Sequence, residues 1–293
     1  MPHAALPAGT IHYRDTGHGR PVVLLHGLLQ DGRLWNPVAD RLAGHLRCIT
    51  PDLPLGAHRV AMRPGADLSA SGVAGTVADL LDHLDLRDVT IVGNDTGGVI
   101  AQVLAAHRPD RLGRLVLTSC EAFDNVPPAV FRTLPVAARL GLLPALLSAL
   151  RVRPLRALPT GYGWLTRNPL PHDLIDDWIA AYYRSPDVRR DTRRFVASLG
   201  DRRLLTRLAD KLADFPHPSL IVWAADDKLF PPAHAGRLGR LLNAAQVELV
   251  ADSRTWLMID QPDRTAALIR NFVEDTRLTR RGGCGGPAGT APS

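Results

Sequence analysis

Gly93-Asn94-Asp95-Thr96-Gly97-Gly98 is the stretch whose reading decides the fold. On its N-terminal side, Asp88-Val-Thr-Ile-Val-Gly93 is a short apolar run of the kind that forms a strand buried on both faces. On its C-terminal side a helix is expected from Thr96 to His107. Small residues at positions 93 and 97 permit a tight turn that holds Asp95 in a strained conformation at the helix N-terminus. The amides and dipole at that end stabilise negative charge, which keeps a carboxylate ionised and suits it to nucleophilic attack. The pattern has the G-x-Nu-x-G form of a nucleophile elbow, with Asp95 at the position where Ser is common. Taken alone it reads equally as an ordinary strand-to-helix turn with Asp95 as the N-cap.

Working outward, the same alternation recurs. Thr10 to Arg14 is expected as a short edge strand, Pro21 to His26 as a buried strand, Leu34 to Leu46 as a helix and Arg47 to Thr50 as a strand. Leu68 to Leu84 has helical spacing, with Ser69 or Ser71 available as N-cap, and Leu112 to Thr118 is a further strand. Between Glu121 and Pro216 no strand is expected, only short helical pieces punctuated by proline. Strands then return at Ser219–Trp223 and Val247–Val250, with helices at Pro232–Leu242 and Pro262–Thr276.

This order implies the α/β class: a mostly parallel sheet flanked by helices, interrupted once by a helical insertion. Residues 1–120 and 217–278 form the expected core and residues 121–216 a cap. The Gly- and Pro-rich residues 279–293 form a tail expected to be disordered. Ligands of open α/β sheets bind at the C-terminal edge of the strands, so the insertion is expected to act as a lid over the site.

Four further motifs break the tie at Asp95. His26-Gly27 follows the first buried strand, and Asp52-Leu-Pro-Leu-Gly56 follows the next. Val222-Trp-Ala-Ala-Asp-Asp227 precedes Phe230-Pro231, and Asp260-Gln-Pro262 lies near the end. Together with the elbow, and in this order from about residue 10 to 275, they resemble the α/β-hydrolase superfamily. An Asp at the elbow points within it to the branch of the haloalkane dehalogenases and epoxide hydrolases. The resemblance implies Asp95 as nucleophile and Asp227 as triad acid. It also implies oxyanion amides from Leu28 and Thr96, with His26 and Gly27 bracing the turn. Glu121 lies where some dehalogenases carry the acid instead.

The chain departs from that pattern at three points. Counting back from Asp260-Gln-Pro262, the catalytic His position holds Thr255, whose hydroxyl cannot act as a base near neutral pH. A general base is worth about 10²–10⁴ in rate. The positions that hold the leaving halide in dehalogenases are Thr96 and Leu28, neither suited to the task. Epoxide hydrolases carry Pro two residues after HG, where this chain has Leu29, and their lid tyrosines correspond to the candidates Tyr162, Tyr182 and Tyr183. Glu121, His26 and His58 are considered as replacement bases, and Arg254 as a new partner for Asp227. Trp164, Trp178, Tyr182, Phe123 and Phe131, with Leu134, Leu140, Leu142, Leu143, Leu146 and Leu165, are expected to line an apolar substrate pocket.

Composition narrows the class. The chain has 293 residues, 45% hydrophobic and 22% charged, as in folded globular proteins. Its net charge of +6 comes from arginines scattered among acids, without the stripe that nucleic-acid binding requires. No run reaches the ~20 apolar residues of a membrane span, and the N-terminus lacks signal-peptide features, so a cytoplasmic location is expected. Cys48, Cys120 and Cys284 are too dispersed for a disulfide framework or a metal site, and no cofactor motif is present. The expectation is a monomer or homodimer with no nucleic-acid or membrane partner. It would hydrolyse a small to medium apolar substrate, an epoxide or ester before a haloalkane. The alternatives are a non-hydrolytic lyase, isomerase or cyclase on the same fold, or a ligand-binding protein that has lost its chemistry.

Overall fold

In the computed structural model, residues 1–244 and 246–275 are described. The expected tail and Cys284 lie outside them. The chain opens with the strands β1 (His3–Leu6), β2 (Gly9–Thr16) and β3 (Pro21–Leu25), the helix α1 (Asn36–Leu42) and the strand β4 (Arg47–Pro51). Helix α2 (Ala70–His83), strand β5 (Val89–Asp95), helix α3 (Thr96–His107) and strand β6 (Leu112–Cys120) follow. The eight strands, completed by β7 (Ser219–Ala224) and β8 (Gln246–Val250), form one sheet in the order β1-β2-β4-β3-β5-β6-β7-β8. The pairs β1–β2 and β2–β4 are antiparallel and the remaining pairs are parallel.

Burial follows position in the sheet. In β6 and β7 every residue is buried, and in β5 every residue but Asp95, because helices cover both faces of a parallel sheet. In β2, next to the edge, buried and half-buried residues alternate along most of the strand. The sequence expectation that residues 10–14 form an edge strand is corrected here. The edge is β1, whose residues pair from His3↔His12 to Leu6↔Gly9. Four residues alternating exposed and buried carry too short a pattern to announce a strand.

The expected helix 34–46 is also shorter. A 3₁₀ turn at Gly32–Trp35, capped by the Asp31 carboxylate, hands over to α1 with Pro37 in its first turn. For α2 the capping choice resolves to Ser69, whose hydroxyl accepts from the Gly72 amide at 3.1 Å.

Between β6 and β7 there is no strand among the described residues. The segment holds short helical turns and the helices α4 (Leu134–Arg139), α5 (Leu143–Leu147), α6 (His172–Arg184), α7 (Pro186–Ser198), α8 (Leu204–Arg207) and α9 (Ala209–Ala213). After β7 come α10 (Ala233–Leu241), then β8, α11 (Leu257–Asp260) and α12 (Pro262–Glu274).

The buried Asp260 carboxylate ties this insertion to the sheet. One oxygen accepts from the Thr166 hydroxyl at 2.7 Å and the Asn168 amide at 2.9 Å. The other accepts from the Arg254 amide at 2.9 Å, and the Arg167 amide lies within 3.0 Å of both oxygens. No helix among the described residues is long and apolar enough to cross a membrane.

Candidate active site

Asp95 closes β5 and opens α3 with φ 52° and ψ −133°, a conformation that L-residues rarely adopt. The turn is held by close backbone packing on both sides. A Cβ on Gly97 would collide with the Leu25 carbonyl, and one on Gly27 would collide with the Asp95 carboxylate itself. Glycine at these two positions is therefore what lets the two loops approach. Opposite the carboxylate, Leu29 also has positive φ, at 56°.

The hydrogen bonds of Asp95 point it outward from the sheet. Its Oδ1 accepts from the Thr96 amide at 2.7 Å and lies 3.2 Å from the Thr96 hydroxyl. Its Oδ2 accepts from Gln30 Nε2 at 3.2 Å, while Gln30 Oε1 accepts from the Gly27 amide at 3.1 Å. Gln30 thus bridges the turn after His26 to the carboxylate, a role absent from the sequence expectations. The signal was a lone amide side chain four residues past His26, and spacing alone does not reveal its direction.

His26 braces the same turn. Leu53 N donates to its Nε2 at 2.9 Å, which leaves Nδ1 to donate to the Gly27 carbonyl at 2.8 Å. Burial pushes its pKa down to about 4, so the ring is neutral. With both nitrogens engaged it does not serve as a base.

A cavity of about 290 Å³ lies over this turn, with Leu28, Leu29, Asp95, Thr96 and Glu121 at its floor and residues from the insertion as its wall. Of the expected wall residues, Phe131, Leu134, Leu143, Leu146 and Leu165 line it. Trp178, Tyr182, Phe123 and Trp164 are corrected: each goes to packing instead. Trp178 is fully enclosed, 6.3 Å from the ring of Tyr162 and 6.2 Å from that of Trp256. The Tyr182 ring packs edge-on to Tyr183. Phe123 meets His234 and the Arg237 guanidinium, and Trp164 packs against the core. Large aromatic rings maximise enclosed area, and the insertion commits them to its contact with the core. The wall is therefore mainly aliphatic, with Leu147 and Leu150 beside the expected leucines, plus Tyr162.

Two carboxyl groups share the cavity floor. Glu121 Oε1 lies 3.3 Å from the Thr96 hydroxyl, which also faces Asp95, while Glu121 Oε2 is buried with no hydrogen-bond partner among the described residues. Burial raises the Asp95 pKa to about 6 against the pull of the Thr96 and Gln30 donors. The elbow amides therefore do not keep this carboxyl in the ordinary acidic range; desolvation outweighs them. Burial first, and then the neighbouring Asp95 charge, raise Glu121 well above its usual value. Both shifts favour the neutral carboxyl, so the two groups resist ionising together. Such a pair offers a nucleophile or base and a proton donor in one apolar chamber.

Asp227 and Thr255 lie together, behind the cavity wall. Asp227 Oδ1 accepts from the Leu229 and Phe230 amides at 2.9 Å each and from the Thr255 hydroxyl at 3.0 Å. Thr255 is fully buried, and its carbonyl accepts from Asn94 Nδ2 at 2.8 Å, next to the elbow. Neither residue lines the cavity.

Arg254 does not pair with Asp227, correcting that expectation. Its guanidinium turns to the Gly163 carbonyl at 2.6 Å. His58 likewise faces away from the cavity, 3.4 Å from the buried Asp191 of α7.

The sequence pattern of the alpha/beta hydrolase fold family matches residues 20–262. An uncharacterized protein of Mycobacterium tuberculosis is 30% identical over 92% of this chain and 83% of its own length. The cis-3-alkyl-4-alkyloxetan-2-one decarboxylase of Shewanella oneidensis is 28% identical over 91% of this chain and 86% of its own. Among solved structures, the haloalkane dehalogenase DbeA of Bradyrhizobium elkani superposes with a TM-score of 0.76 at 21% identity, covering 92% of this chain and 96% of that one.

Proposed function

The chain belongs to the alpha/beta hydrolase fold family, and from that premise we propose that it hydrolyses a small to medium apolar epoxide, using Asp95 as nucleophile. The observation that carries this reading is the carboxyl pair at the cavity floor, Asp95 and Glu121, bridged by the Thr96 hydroxyl. No basic side chain stands at position 255, where Thr255 is tied to Asp227. Glu121 is then the group that takes over the proton traffic.

The cycle balances with these two groups alone. Asp95 carboxylate attacks an epoxide carbon, forming an ester bond as the ring C–O bond breaks. Glu121 gives its proton to the departing oxygen, leaving a hydroxy-ester on Asp95 and a carboxylate at Glu121. That carboxylate then takes a proton from water while the oxygen adds to the Asp95 carbonyl carbon. Collapse expels the alcohol oxygen, which takes the proton of the re-formed Asp95 acid. The diol leaves and both groups return to their starting states. This is the logic of an acid that becomes the base in the second half of a double displacement. It favours an epoxide over a haloalkane, because a halide leaves without a proton, and Thr96 and Leu28 give it no special donor.

The test is turnover of an apolar terminal epoxide with diol as product. Asp95→Asn should abolish it. Glu121→Gln should lower turnover by about 10²–10⁴ and leave a protein adduct of the full epoxide mass on Asp95. Loss of turnover in Asp95→Asn with diol formation unaffected in Glu121→Gln would remove Glu121 from the cycle.

A second reading is favoured by Thr255 itself. A site without the usual water-activating base suits a reaction that releases Asp95 without water, as when a strained lactone is opened and then loses carbon dioxide. The decarboxylase of Shewanella oneidensis acts on a compound named as such a lactone. In that reading the product carries no added water and epoxides give stable adducts with the wild type. A pure binding protein would hold apolar ligands equally well with Asp95→Asn.

A further inference from the structure

We propose that the outer face of the insertion docks on an anionic lipid bilayer and that the cavity mouth opens into this contact. It departs from the expectation of no membrane partner, which rested on the lack of a spanning run; surface docking needs none.

Three observations converge on one run of chain, from residue 132 to 158. The first is exposed aliphatic area. Val136, Leu140 and Leu142 on and after α4 are 54%, 68% and 51% exposed, and Val152 is 50% exposed. Folded chains rarely leave this much clustered apolar surface in water unless something covers it.

The second is where the cavity opens. Leu146, Leu155 and Leu158 line the cavity and are at the same time exposed, so they form its rim. The rim and the exposed aliphatic residues belong to one run of chain, from α4 through α5 and the 3₁₀ turns that follow it.

The third is charge. From residue 125 to 172 the chain contains no Asp or Glu, but it does contain Arg132, Arg139, Arg151, Arg153, Arg156 and Arg167. Arg153 and Arg156 pair with Asp176, and Arg167 with Asp226. Arg132, Arg139 and Arg151 have no carboxylate partner among the described residues. Arg139 reaches the Ala197 carbonyl, and Arg151 lies over the Tyr183 ring, 5.2 Å from its centre; neither contact neutralises charge.

The charge pattern selects the occupant. Exposed aliphatic side chains interspersed along the same run with arginines that lack a carboxylate partner match a bilayer, with acyl chains beneath and phosphates above. A second copy of this chain would bring the same positive field against itself. A protein hot spot would be expected to present Trp or Tyr, whereas the exposed large side chains here are Leu and Val. An apolar substrate dissolved in the membrane would then pass from lipid to cavity without crossing water. The docking surface stands independently of the chemistry at Asp95.

The experiment is co-sedimentation of the full chain with unilamellar vesicles. One set is phosphatidylcholine with phosphatidylglycerol and the other phosphatidylcholine alone, each at low and high salt. The expected result is partition onto the anionic vesicles, at least tenfold weaker on the neutral ones, and release by salt. Each arginine near an anionic surface is worth about fivefold, so Arg139→Gln with Arg151→Gln should weaken anionic binding about 25-fold. Leu140→Ser with Leu142→Ser should weaken it as well, and both double variants should melt like the wild type because these side chains are exposed. The proposal is overturned if the chain stays in the supernatant with both vesicles, or binds them equally. It is also overturned if light scattering shows a dimer that Leu140→Ser with Leu142→Ser converts to monomer, because the occupant is then a second copy.

Discussion

A single carboxylate sets the balance between stability and reactivity in this site. Asp95 has its pKa raised to about 6 from a usual value of 3.8, chiefly by burial. The folded state therefore binds the proton more tightly than the unfolded chain does. Stability conferred by the neutral form is present below the unfolded value and is lost as pH rises through the folded one. Above about pH 6 the ionised group costs up to about 3 kcal/mol, since each tenfold weakening of an acid corresponds to about 1.4 kcal/mol. Asp95→Asn should thus raise the melting temperature at pH 7 and have no such effect near pH 4, measured by calorimetry at both values. The same electrostatics shape activity. kcat/KM should rise as Asp95 ionises through about pH 6 and fall at higher pH as Glu121 loses its proton. In Glu121→Gln the alkaline limb should disappear from whatever activity remains, a result read directly from the pH profile.

At the scale of elements, the elbow was legible because its geometry is local. Small residues at positions 93 and 97 allow one backbone path between β5 and α3, and α3 begins and ends where its spacing placed it, Thr96–His107. Other elements depend on partners far away in the chain. β1 exists through its pairing with β2, and Gln30 gains its role only when Asp95 is brought to it from 65 residues away. The aromatic residues of the insertion misled for the same reason. Composition marks Trp178 and Tyr182 as apolar and large, but which side of a helix faces a cavity is decided by the contact with the core. That contact is anchored by Asp260 on α11, whose carboxylate gathers the amides of 167, 168 and 254 and the Thr166 hydroxyl. Asp260→Ala strands several of these donors and should cost about 3 kcal/mol or more. The check is a denaturation midpoint together with faster amide hydrogen exchange at residues 166–168.

For the whole molecule, the mostly parallel sheet was implied by strand–helix alternation, because parallel strands need crossovers, whereas the strand order emerges only in the fold. Shape and charge at the surface were less legible. A net charge of +6 says nothing of where the positive face lies, and a residue's exposure is known only after the chain has folded. The fold brings an aliphatic cavity, two carboxyls and a partly exposed rim together at the turn after β5. Its chemistry turns on whether an ester forms at Asp95. A single turnover with enzyme in excess over an apolar epoxide in ¹⁸O-labelled water measures this most directly. Ester formation predicts a first-turnover diol whose new oxygen is unlabelled, drawn from Asp95, and a peptide containing Asp95 that gains the label. A labelled diol with no label in that peptide would contradict it.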